Sequence, residues 1–123
     1  MSNQFSKIRA SFSNAFRGLA VLIKEERNAR IHLLSMLLVI AAGAYFNLNT
    51  VEWCFIIFAV GLVFILEAIN TVIENLIDFV SLEQNPKIGK IKDLAAGAVL
   101  IAAIVAVAIA CVIFIPKIWI LIQ

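Results

Sequence analysis

Residues 94–115 run for 22 positions without a charged side chain. Such a stretch fits the hydrocarbon core of a bilayer. No water is present there to satisfy backbone N–H and C=O groups, so the segment can cross only as a helix that bonds to itself. Two further apolar runs precede it, at residues 31–47 and from residue 51 onward. In a chain of 123 residues, 63% of them hydrophobic, three such runs leave no room for a separate soluble domain. The sequence predicts a single-domain, all-α integral membrane protein with spans at about residues 31–47, 51–80 and 92–116.

Ahead of the spans, Phe5, Ile8, Phe12, Phe16, Leu19 and Ile23 fall on one stripe of a helical wheel, with Lys7, Asn14, Arg17 and Lys24 off it. Residues 3–28 therefore predict a basic amphipathic helix lying along a membrane surface. A packed helix of the bundle is the other reading, and Gly18 leaves open one piece or two. Glu26 falls within the apolar stripe if the helix continues, and is a solvated loop residue if the helix has ended.

Charge is placed unevenly. Six of the ten Lys and Arg lie in residues 1–30, three more are Lys87, Lys90 and Lys92, and the connection at 47–52 has none. An excess of basic residues on the cytoplasmic side puts the N-terminus and the second connection in the cytoplasm. Tyr45, Phe46, Trp53 and Trp119 then mark the outer boundary. A net charge of +2 gives no case for nucleic acid. Cys54 and Cys111 read as small buried hydrophobes, and His32, with no partner at metal-ligand spacing, as an interfacial histidine.

The second span carries what an apolar helix should not: Glu67, Asn70, Thr71, Glu74, Asn75 and Asp78. An acid at the centre of a membrane helix costs roughly 2.5–3.5 kcal/mol. At about 100° per residue, Glu67, Glu74 and Asp78 share one edge within roughly 40°. Asn70 and Thr71 flank them. Three carboxylates and an amide on one edge must face protein, water or a metal, and they suit a cation together with its polar cargo.

Near the same surface the sequence places a Lys–Asp pair, Lys92 and Asp93, at the start of the third span. A basic, mobile connection through Asn85, Pro86, Lys87, Gly89 and Lys90 leads to it. Carboxylates for Mg²⁺, a lysine for phosphate oxygens and a further carboxylate as base are the parts that phosphoryl transfer requires. No GxxxxGK[ST] loop and no kinase glycine loop is present.

The run EAINTVIENLID at residues 67–78, followed by KDLAAGAVL at 92–100, resembles the signature of the prokaryotic diacylglycerol kinase family, which includes the undecaprenol kinases. The resemblance covers nearly the whole chain. It implies a homotrimer with composite sites shared between neighbours, and transfer of the ATP γ-phosphate to a lipid hydroxyl. By that resemblance Glu67 is the general base and Asn70 supports it, Glu26 and Glu74 hold Mg²⁺, and Lys92 contacts phosphate with Asp93 beside it. Asp78 organises the site. Lys7, Asn14, Glu83, Gln84 and Asn85 approach the nucleotide. The stretches NAFRGL and ERNARIH look closer to the undecaprenol kinase branch, but the shared motif does not choose between diacylglycerol and undecaprenol.

A small ion- or proton-conducting oligomer is the alternative, because intramembrane carboxylates often mark ion paths. Against it, residues 53–66 are wholly apolar and would give a through-path no lining. A structural adaptor whose acids only pair with Lys92 and its neighbours is a third reading.

Overall fold

The computed structural model describes residues 2–80 and 85–123 as four helices: α1 (Ser2–Glu25), α2 (Arg27–Tyr45), α3 (Thr50–Val80) and α4 (Pro86–Leu121). Three of them, α2, α3 and α4, are long and apolar enough to cross a membrane. At 1.5 Å per residue α3 and α4 are roughly 46 and 54 Å long, well beyond a hydrocarbon core of about 30 Å. Both therefore project past the apolar slab. Glu67, 17 residues into α3, lies roughly 25 Å from its start and Asp78 roughly 42 Å, the latter more than the thickness of a hydrocarbon core.

α1 is continuous through Gly18, where a glycine costs only about 1 kcal/mol against the many bonds on either side. It stops at Glu25. Glu26 is extended (φ −92°, ψ 121°) and is the single residue separating α1 from α2. Its N–H still donates to the Leu22 carbonyl at 2.9 Å, and the Arg30 guanidinium caps α1 by donating to the Lys24 carbonyl at 2.8 Å. Glu26 is thus a half-buried joint, neither a continuation of the helix nor a solvated loop residue.

The α2–α3 turn is closed at both edges. Asn47 adopts φ 50°, a left-handed conformation that asparagine tolerates, and the N–H groups of Asn47 and Leu48 donate to the carbonyls of Ala44 (3.3 Å) and Gly43 (3.1 Å). Asn49 then caps α3 reciprocally with Glu52. The Asn49 side chain accepts from the Glu52 N–H (3.0 Å) while Glu52 accepts from the Asn49 N–H (2.8 Å). Glu52 also meets Lys117 of α4 at 3.1 Å. Gly43 lets α2 approach so closely that an added Cβ would lie 2.7 Å from Trp53 Cη2. Leu48, Ile56 and Ile113 form the core of this turn end, with Trp53 and Phe114 packed against them.

Three features depart from what the sequence predicts. The basic connection folds as the first turn of α4, because Asn85 caps it by accepting from the Lys87 N–H (2.9 Å) and Pro86 fills the first helical position. α4 also runs on through Pro116 to Leu121. One lost backbone bond costs less than unpaired backbone groups in an apolar phase. Cys54 and Cys111 lie on the outer surface of the bundle rather than in its core, where an apolar thiol can face lipid.

Candidate active site

At the end of the bundle away from the turn, α2, α3 and α4 separate around a crevice of about 270 Å³ lined by Asn28, Ile31, His32, Glu67, Asn70 and four apolar residues of α4. Glu67 forms its floor. It is 2% exposed, the most deeply buried large side chain among the described residues. Helical spacing puts Asn70 one turn on, and Asn70 donates to Glu74 Oε1 at 3.2 Å. The other end of that amide, Asn70 Oδ1, is buried without a hydrogen-bond partner among the described residues. Glu67, Asn70 and Glu74 thus follow one another along α3, while Glu26 stands at the α1–α2 joint.

Lys92 and Asp93 do not pair with each other. Adjacent helical residues point about 100° apart, and Lys92 turns toward α3, where its ammonium donates to Asp78. Asp93 is exposed. Neither sits at a helix start, since α4 begins at Pro86. Asn14 lies elsewhere. It lines a second groove of about 470 Å³ between α1 and α3, opposite Thr71 and Asn75 and beside Arg17. Lys7 is exposed two turns earlier on α1, Asn85 is engaged as the α4 cap, and Glu83 and Gln84 lie outside the described residues.

His32 is the residue that sequence reasoning misses. Its Nε2 stands 4.0 Å from Glu67 Oε2, so the histidine read as interfacial faces the buried acid. The only signal was its position on α2, and nothing in the sequence pairs residue 32 with residue 67.

Among the described residues no three His, Cys, Asp or Glu side chains are close enough to cage a metal. Mg²⁺ would need no such cage. That ion keeps several waters and is usually held by one or two carboxylates together with substrate phosphates rather than by an all-protein cage.

A buried acid thus faces an apolar wall in one crevice. The profile of the prokaryotic diacylglycerol kinase family matches residues 13–114. The chain belongs to this family. It is an enzyme, a lipid kinase with membrane-spanning helices. The undecaprenol kinase of Bacillus subtilis is 34% identical over 115 residues, 94% of each chain. The diacylglycerol kinase of Escherichia coli K12 is 30% identical over 108 residues, 88% of each chain. The diacylglycerol kinase of Synechocystis is 36% identical over 107 residues, which are 86% of this chain and 61% of that one.

Proposed function

We propose that this lipid kinase transfers the γ-phosphoryl group of ATP to the hydroxyl of a membrane lipid alcohol, diacylglycerol or undecaprenol. The observation that carries the reading is Glu67, 2% exposed at the floor of a crevice whose other wall, on α4, is apolar. A buried carboxylate facing an apolar wall suits a hydroxyl attached to a hydrocarbon chain. In the step, the lipid O–H bond breaks and its proton goes to the Glu67 carboxylate. The oxygen lone pair forms the bond to the γ-phosphorus, and the bond to the bridging oxygen breaks, its electron pair leaving on ADP.

Glu26 and Glu74 would hold Mg²⁺, which when bound neutralises phosphate charge. Asn70 fixes the Glu74 carboxylate through its amide. Lys92 contacts phosphate oxygens and is aimed by Asp78. Asp93, Asn85, Lys7 and Asn14 approach the nucleotide, as would Glu83 and Gln84. The apolar stripe Phe5, Ile8, Phe12, Phe16 and Leu19 is exposed along α1, which supports a surface helix resting on lipid. A homotrimer in which neighbouring copies complete the site is part of the same proposal. The basic residues of α1 and of the α4 start support a cytoplasmic site.

The test is direct. Purified protein in mixed micelles with Mg·ATP is expected to convert diacylglycerol or undecaprenol to its phosphate, and the two acceptors are compared side by side. Phosphorylation of neither would overturn the proposal.

A further inference from the structure

Glu67 and His32 face each other from different helices, with 4.0 Å between Oε2 and Nε2. That is too far for a direct hydrogen bond, but it leaves room for one oxygen atom within about 2.8 Å of both. The crevice around them has a polar side and an apolar side. Asn28, His32, Glu67 and Asn70 contribute the polar atoms, while α4 contributes Ala96, Val99, Leu100 and Ala103. No side chain of α4 in this wall can hold a hydroxyl. Asn70 lines the same crevice and is 8% exposed, and its Oδ1 is buried without a hydrogen-bond partner among the described residues.

The crevice also continues. Ile31, His32 and Ala103 line both this space and an apolar groove of about 280 Å³ that runs on between α2, α3 and α4 past Met36, Val39 and Ala110. His32 therefore stands where the polar pocket becomes a hydrocarbon channel. A lipid alcohol lying with its chain in the groove would bring its hydroxyl to the gap between the imidazole and the carboxylate.

We infer that His32 is the second hydrogen-bonding partner of the acceptor hydroxyl, holding its oxygen against Glu67 from the facing helix. This rests on reading the protein as a kinase of lipid alcohols. The imidazole N–H donates to one lone pair of the hydroxyl oxygen, the hydroxyl hydrogen points to Glu67, and the second lone pair is left to face phosphorus. His32 touches the acceptor and not the nucleotide, so its loss falls on the lipid side of the kinetics.

The experiment uses the full chain in mixed micelles with Mg·ATP, with dioleoylglycerol and undecaprenol as separate acceptors. The unaltered protein is assayed first, and failure there sinks the proposed function rather than the role of His32. His32→Leu is expected to lower kcat/KM for the lipid about tenfold, the size of one lost hydrogen bond, while KM for Mg·ATP stays within about twofold. His32→Gln, whose amide can donate from a similar position, is expected to recover most of the loss. Unchanged lipid kinetics in His32→Leu would overturn the assignment. So would a loss shared equally by the ATP KM, or a glutamine variant no better than the leucine one.

Discussion

Lys92 of α4 donates to Asp78 of α3 across fourteen residues of sequence, tying the ends of the two helices that flank residues 81–85. The Asp78 side chain is 65% exposed and that of Lys92 34%, so solvent screens the pair and its contribution to stability is below about 1 kcal/mol. Its effect is on direction. The carboxylate fixes where an ammonium points that would otherwise sweep freely on four carbons.

Asp78→Asn is therefore expected to leave the thermal midpoint within a degree or two, yet to raise KM for Mg·ATP several-fold. Lys92→Met is expected to lower kcat itself, by about a hundredfold. Steady-state kinetics beside a thermal melt separate the two effects. A large drop in the melting temperature of Asp78→Asn would show that the pair holds the helices together rather than aiming the lysine.

Glu67→Gln keeps the volume and one carbonyl oxygen at the crevice floor while removing the base. Lipid phosphorylation is expected to fall by about a hundredfold or more with the folded state retained. Radiolabelled phosphate transfer to lipid measures the loss. A glutamine variant with full activity would remove Glu67 from the proton-accepting role.

The membrane architecture was legible because apolar run length is a direct reading of bilayer thickness. The edge shared by Glu67, Glu74 and Asp78 was legible because helical geometry fixes it within a single helix. What crosses between helices was not. The Lys92–Asp78 pair and the His32–Glu67 approach depend on how helices dock, and the sequence carries no periodicity for that. Adjacent numbering made Lys92 and Asp93 look like partners, although neighbours on a helix diverge. Glu26 was undecided for a similar reason: whether one residue leaves the helix turns on two backbone torsions, not on its position in a pattern.

Gly43→Ala is expected to destabilise the protein by about 1–3 kcal/mol, because the new methyl meets the Trp53 ring at 2.7–3.0 Å. Trp53→Phe removes the ring atoms in the way, so the double variant should regain part of the loss. Denaturant titration in detergent gives the cycle. Strictly additive losses would mean that the two residues do not touch.

Among the described residues Glu52 serves two partners and Lys117 one. Glu52→Ala removes the bond from the Asn49 N–H as well as the ion pair, whereas Lys117→Ala removes the pair alone. Glu52→Ala should therefore be the more damaging, by about 1 kcal/mol, in the same titration. Equal losses would assign the whole effect to the ion pair.

The turn end is fastened four times over, by the Gly43–Trp53 approach, the paired cap of Asn49 and Glu52, the Glu52–Lys117 bridge and the packing of Leu48, Ile56 and Ile113. At the opposite end α2, α3 and α4 leave a crevice, and among the described residues α3 and α4 meet beyond it through the solvent-screened Lys92–Asp78 pair. Helices joined this way behave as tongs, stationary at the pivot and widest in travel at the tips. Glu67 and His32 sit between pivot and tips, so the tightness of the pivot sets how far α2 and α3 must part for a hydrocarbon chain to slide between them.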